Sequence, residues 1–98
     1  MNKCIKWGYE VLRREKISDW KIEYSNIGNE GIAIFKTKTI HISFPKNKHD
    51  YALLLHEIAH ITRGEDEGDQ HDSMFAHEYM RLVKKYFYPK ELQEDWDE

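Results

Sequence analysis

The run His56-Glu57-Ile58-Ala59-His60 is an HExxH pentad, and the rest of the chain is best interpreted from it outward. Because residues four apart share one face of a helix, His56 and His60 can bind the same metal ion. Glu57 follows the first histidine, where a carboxylate can accept a proton from a metal-bound water. The pentad therefore predicts most of a hydrolytic zinc centre, with His56 and His60 as ligands and Glu57 as the catalytic base.

The residues around the pentad favour a metal site over a chance match. A chain with 6 histidines and 11 glutamates in 98 residues would contain HExxH in roughly 4 of 100 shuffled sequences, so the motif needs support from its context. Burying two histidines and a glutamate in an apolar helix is costly without a partner, and a bound cation supplies one. Apolar residues surround the pentad almost all round the helix: Leu53, Leu54, Leu55, Ile58, Ala59 and Ile61.

Length and composition predict one small domain over 1–98, with an acidic tail that frays from about residue 90. A mean hydropathy of -0.84 argues against a membrane span. The net charge of -3 gives a nucleic-acid partner no support. The single cysteine, Cys4, is predicted to be a small core residue, and one cysteine forms no internal disulfide. The chain lacks a signal-like start and has a single cysteine, so it is expected to be cytoplasmic (intracellular). It is also expected to be a monomer that acts on a protein or peptide substrate.

Periodicity along the chain predicts the α+β class, a small three-stranded sheet packed against helices. Asp50 is the predicted N-cap of the HExxH helix, and Gly64 its C-terminal glycine. A turn-rich segment is expected at 26–31 and an acidic loop at 65–69. Pro45 is expected to end the third strand, and a polar loop is expected at 46–50. The predicted elements are a helix over 2–15, strands over 20–24, 32–35 and 40–44, the HExxH helix over 50–64 and a helix over 70–86, before a last short helix from Pro89.

The third metal ligand must lie beyond the pentad. Catalytic zinc usually has three protein ligands and one open position. The metzincin extension HExxHxxGxxH would need glycine at 63 and histidine at 66, where this chain has Arg63 and Asp66. The remaining candidates are Glu65, Asp66, Glu67, Asp69, His71, Asp72, His77 and Glu78.

Helix geometry favours the later helix as the source of that ligand. His71 is placed in its first turn, and Phe75 lies one turn on, where it can hold the same face against the core. Glu78 is seven residues after His71 and shares this face, so it remains a rival. His77 points away from this face and is expected to be exposed.

The segment from residue 71 resembles a known family. The run 71–75, HDSMF, with Tyr79, Leu82 and Val83 beyond it, is similar to the HGxxFxxxYxxLV segment of SprT-like small zincin domains. The upstream order is similar as well: a helix, a strand, a glycine-containing strand and an isoleucine-rich strand precede HExxH. The resemblance covers nearly the whole chain, but only HExxH and HxxxF are specific. Asp72 departs from the family pattern, which has glycine there.

The resemblance implies a minimal zincin-like fold in which the ligand-bearing C-terminal helix supplies His71 as the third ligand. ImmA-like metallopeptidases resemble the chain at the same place. They have a glutamate ligand four residues before a Phe-Ala pair, and this chain has His71 four residues before Phe75-Ala76. Both resemblances imply a metallopeptidase with Zn²⁺ as its cofactor.

The predicted mechanism is hydrolysis of peptide bonds by a zinc-bound water that Glu57 activates. A further donor is needed for the oxyanion, and Tyr79 is a candidate for it. The alternative is that Tyr79 is a core aromatic with its hydroxyl at the surface. An extended substrate is expected to pair with an exposed strand edge, and the resemblance to small zincins implies that this is the strand over 31–35. The alternative is that this strand is a simple sheet edge.

Two other functions compete with this interpretation. The first is a non-catalytic, zinc-stabilised module that binds a protein or nucleic acid. The presence of Glu57 argues against it, because a structural site has no use for a carboxylate beside its first histidine. The second is a metal-dependent RNase with three histidines, but such sites lack the HExxH glutamate. The separation between His60 and His71 also fits that site poorly.

Overall fold

The computed structural model describes residues 3–25, 31–43, 49–64 and 71–88. Several sequence-based predictions fall outside these residues. They are the turn at 26–30, the strand end at Pro45 and the loop after it, the acidic loop at 65–69, the short helix from Pro89 and the frayed acidic tail.

The predicted α+β class is confirmed: the described residues form three α-helices and one three-stranded sheet. The HExxH pentad lies in the second helix, as predicted. A π-helical segment directly continues the third helix. The elements are α1 (Lys3–Arg14), β1 (Lys21–Tyr24), β2 (Gly31–Ile34), β3 (Thr39–Ile42), α2 (His49–Arg63), α3 (Ser73–Leu82) and the π-helical segment (Val83–Phe87).

The sheet is mixed, with strand order β1-β3-β2. β3 lies in the middle, parallel to β1 and antiparallel to β2. Ile40 and Ile42 are fully buried, which is expected of a central strand with one face in the core. β2 pairs with β3 alone, so it forms one edge of the described sheet.

Helix α2 is the centre of the fold. It packs against α1, β2, α3 and the π-helical segment, and Leu54, Leu55, Ile58 and Ala59 are fully buried. α1 approaches α2 closely at Gly8, where an added Cβ would lie 2.5 Å from a Leu54 methyl carbon. Because the helix is covered on several sides, polar residues within the pentad are also drawn into the interior.

Two predicted boundaries are corrected. Asp50 is not an N-cap, because α2 already includes His49 and Asp50. The third helix begins at Ser73 with Asp72 as its N-cap, so His71 precedes the helix instead of lying in its first turn. The predicted stop of α2 is confirmed, since Gly64 has φ +86°.

The predicted place of Cys4 in the core is confirmed, since its side chain is buried. Within the four described ranges, no helix combines the length and the apolar character needed to cross a bilayer.

A buried carboxylate ties the end of α1 to the C-terminal helices. The Glu15 side chain is 8% exposed and accepts hydrogen bonds from Arg81 (2.7 Å), Lys85 (3.2 Å) and the Tyr86 hydroxyl (2.5 Å). Burial raises the pKa of Glu15, but these three donors outweigh burial and hold it at about 2, below its usual 4.5. The ionised carboxylate of Glu15 therefore stabilises the folded state.

We expect Glu15→Gln to destabilise the protein by about 2 kcal/mol at pH 7, because it replaces charge-assisted hydrogen bonds at a buried site. A folded pKa below the unfolded pKa gives stability that is complete above about pH 4.5 and is lost as the pH falls toward 2. The difference between the two proteins in urea unfolding should therefore shrink across this range.

Glu10→Gln is the matched control for this experiment. Glu10 also pairs with arginines, Arg13 and Arg14, but its side chain is 38% exposed, so its loss should change stability by less than about 1 kcal/mol. Equal costs for the two variants, or a Glu15→Gln cost that does not vary between pH 7 and pH 3, would contradict the prediction.

Candidate metal centre

Three histidines converge where α2 meets the start of α3. His56, His60 and His71 each offer one ring nitrogen, and these nitrogens lie within 4.8 Å of one another. The Nε2 atoms of His56 and His71 are 3.2 Å apart. This separation is close to the about 3.3 Å expected between two nitrogens that bind one tetrahedral ion at about 2.0–2.1 Å. The three histidines are close enough to bind a metal ion.

The three ligand candidates are positioned in different ways. His56 and His60 lie one turn apart on α2, with ring centroids 5.2 Å apart. His60 is 3% exposed, and its Nε2 atom is itself buried. His71 is exposed and comes from the segment before α3. The cluster thus combines two donors on a rigid helix with a third donor at a helix entrance.

The ring of Phe75 packs against all three imidazoles. Its centroid lies 4.9 Å from that of His56, 4.4 Å from that of His60 and 4.8 Å from that of His71. Phe75 is 5% exposed, as expected for the core anchor predicted from the HxxxF spacing. Its ring limits the positions that the histidine rings can take.

The rival ligand Glu78 lies in a different environment. Its carboxylate accepts a hydrogen bond from Arg81 at 3.0 Å, and this contact is the main reason that its pKa is lowered. Among the described residues, the histidine cluster includes His71 and not Glu78. His77 is exposed, as predicted.

Glu57 is buried beside the edge strand. It is 4% exposed, although it is a carboxylic acid in the middle of a helix. The backbone of β2 passes so close that a Cβ added at Gly31 would lie 3.2 Å from Glu57 Cγ and 3.4 Å from Oε2. Glycine at this position therefore leaves room for the Glu57 side chain between α2 and β2.

Tyr79 adjoins the cluster through its ring. The ring centroids of Tyr79 and His56 are 5.5 Å apart, and Tyr79 stacks on Phe75. Its hydroxyl makes a long 3.5 Å hydrogen bond to the carbonyl oxygen of Ala52, one turn before His56. Burial raises the pKa of the Tyr79 hydroxyl, so the group stays protonated and can donate. The hydroxyl lies against α2, and its role as an oxyanion donor stays a prediction.

An ion pair next to the cluster was not predicted. Arg63, the last residue of α2, donates to Asp72 from Nη2 at 2.6 Å and from Nε at 3.3 Å. Asp72 also accepts a hydrogen bond from the backbone N–H of Phe75 at 2.9 Å and so caps α3. The Arg63 side chain is the main reason that the pKa of Asp72 falls to about 2. An aspartate three residues before a predicted core position could have indicated the cap, but nothing in the sequence pairs it with Arg63.

His41 lies apart from the histidine cluster. It is half-buried, and its Nδ1 lies 2.6 Å from the Ser25 hydroxyl. Alternation along β3 places it on the sheet face opposite to buried Ile40 and Ile42. His41 therefore serves as a control histidine for metal binding.

No protein-family model matches the chain, and comparisons with curated proteins and with solved structures find no significant match either. The resemblance to SprT-like and ImmA-like domains therefore rests on the motif residues alone.

Proposed function

We propose that the protein is a zinc-dependent metallopeptidase that cleaves peptide bonds with water. The observation that carries this proposal is a cluster of three imidazoles, two of them on α2, together with the buried Glu57 that follows His56 on the same helix. A zinc ion held by His56, His60 and His71 would lower the pKa of a water and polarise a peptide carbonyl. Side chains of the protein would transfer the proton and donate to the oxyanion.

Glu57 is the proton carrier in this proposal. Its carboxylate accepts a proton from the attacking water and then gives that proton to the amine that leaves. Tyr79 is the candidate donor to the oxyanion, because its protonated hydroxyl lies on the same side of α2 as His56. That role requires the hydroxyl to exchange its long bond to Ala52 for one to the substrate.

Strand β2 is the proposed binding edge for the substrate. It is an edge strand of the described sheet, and it begins against the Glu57 side chain. An extended peptide that pairs with this edge gains backbone hydrogen bonds and lies next to Glu57. Ile32 on the same strand is 45% exposed and offers an apolar contact to such a peptide.

We expect the purified protein to bind about one zinc ion per chain, and to create new termini in a library of peptides derived from a proteome. Treatment with a chelator should stop cleavage, and added zinc should restore it, because the proposed chemistry requires the ion. Metal analysis and mass spectrometry of the peptides measure the two results.

His41→Ala is the matched control, because it removes a half-buried histidine that lies outside the cluster. This variant should keep both zinc and cleavage. A protein that binds no zinc would rule out the metallopeptidase. Bound zinc with no new termini would instead favour a non-catalytic, zinc-stabilised binding module.

A further inference from the structure

We propose that the Arg63–Asp72 ion pair is a positioning device that holds His71 at the metal centre. This inference rests on the proposed zinc site and adds to it two residues that lie outside the histidine cluster. The pair connects the last residue of α2 to the residue that follows His71. It therefore joins the helix that carries two ligands to the segment that carries the third.

The geometry of the pair suits this role. The Nε and Nη2 atoms of Arg63 both donate to the Asp72 carboxylate, which is the two-point contact that fixes orientation as well as distance. The Arg63 side chain is only 19% exposed, so it is held more firmly than an open surface arginine. Asp72 is fixed a second time by the Phe75 backbone N–H. One carboxylate thus sets the start of α3 relative to the end of α2.

His71 needs such a device more than the other two ligands do. His56 and His60 have their backbone inside α2, whereas His71 precedes the cap of α3 and is exposed. A ligand outside a helix has fewer constraints on its backbone, and a metal site binds more tightly when its ligands are held in place beforehand. Phe75 restrains the His71 ring, and the ion pair restrains the backbone one residue away.

The test compares Arg63→Gln, Asp72→Asn and the double variant by zinc affinity, measured against a chromophoric chelator. Asparagine caps a helix about as well as aspartate, so Asp72→Asn removes the ion pair and keeps the cap. We expect each variant to bind zinc about tenfold more weakly, the low end of the range for residues that orient metal ligands. The double variant should be no weaker than either single variant, because all three lack the same contact.

A second comparison separates positioning from general stability. In a His71→Ala background, Arg63→Gln should leave the remaining zinc affinity unchanged, because the pair acts through His71. Lys38→Gln is the control ion-pair variant, since Lys38 pairs with Asp19 at an exposed site away from the cluster. It should not change zinc affinity in either background.

A metal-free measurement keeps the inference testable by itself. In the apoprotein, an NOE between the rings of His71 and Phe75, whose centroids are 4.8 Å apart, should be present in the wild type and weaken in Arg63→Gln. If the wild type binds no zinc, the proposed function fails, and this NOE still decides about the ion pair. Unchanged NOE intensity, or equal zinc affinity in the wild type and both single variants, would overturn the inference.

Discussion

Glu57→Gln is expected to reduce peptide cleavage by about 10²–10⁴-fold while zinc stays bound, which is the range for the loss of a general base. Glutamine keeps the shape of the side chain in the tight space beside Gly31. It removes the group that accepts the proton of the attacking water. The three histidines are untouched, so the metal content should stay at about one ion per chain.

The experiment measures zinc content and the rate of formation of new peptide termini for the same preparations. Glu23→Gln is the matched control, because Glu23 is an exposed glutamate on β1 and its loss should leave both quantities unchanged. Cleavage by Glu57→Gln at the wild-type rate would refute the Glu57 mechanism. Loss of zinc from this variant would show instead that Glu57 supports the ligand site.

His71→Ala is expected to weaken zinc binding by about 100- to 1000-fold. Structural zinc sites with four ligands bind with about 10–16 kcal/mol, which is about 2.5–4 kcal/mol for each ligand. Glu78→Ala should leave zinc affinity unchanged, because the Glu78 carboxylate pairs with Arg81 and lies outside the histidine cluster. The two variants therefore distinguish the ligand candidates that the sequence left open.

Zinc affinity in this experiment is measured by chelator competition, with urea unfolding of each apoprotein to show that both variants are folded. His77→Ala is the control, because His77 is an exposed histidine on α3. The opposite pattern, with full affinity in His71→Ala and weak binding in Glu78→Ala, would make Glu78 the ligand. Equal weakening in both variants would indicate a shared structural effect.

The sequence predicted the secondary structure well where hydrophobic periodicity was strong. Alternation at Ile40 and Ile42 indicated β3, and the apolar surroundings of the pentad indicated a helix buried on several sides. It predicted boundaries less well where a local hydrogen bond decides them. Asp72 caps α3 two residues after the expected start at 70, because its carboxylate accepts from Phe75 N–H. The sequence also predicted an N-cap at Asp50, and this prediction was wrong because Asp50 lies inside α2.

The order of the strands could not be predicted. Periodicity indicates which residues share a face, but it does not indicate which strands pair. Here β3 lies between β1 and β2, so the glycine at the start of β2 is brought to Glu57. The enclosed position of the glutamate thus depends on the sheet topology as well as on its place in the helix.

By itself, the sequence determined the part of the candidate metal centre that lies within one helical turn, since the helix repeat places His56 and His60 on one face. It also reduced the third ligand to two main candidates, His71 and Glu78. Only the tertiary structure brought His71 to within 4.8 Å of the other two histidines. It also joined Arg63 to Asp72. The physical reason is that spacing along a helix is set by local backbone geometry, whereas contacts between α2 and α3 depend on how the two helices pack against each other.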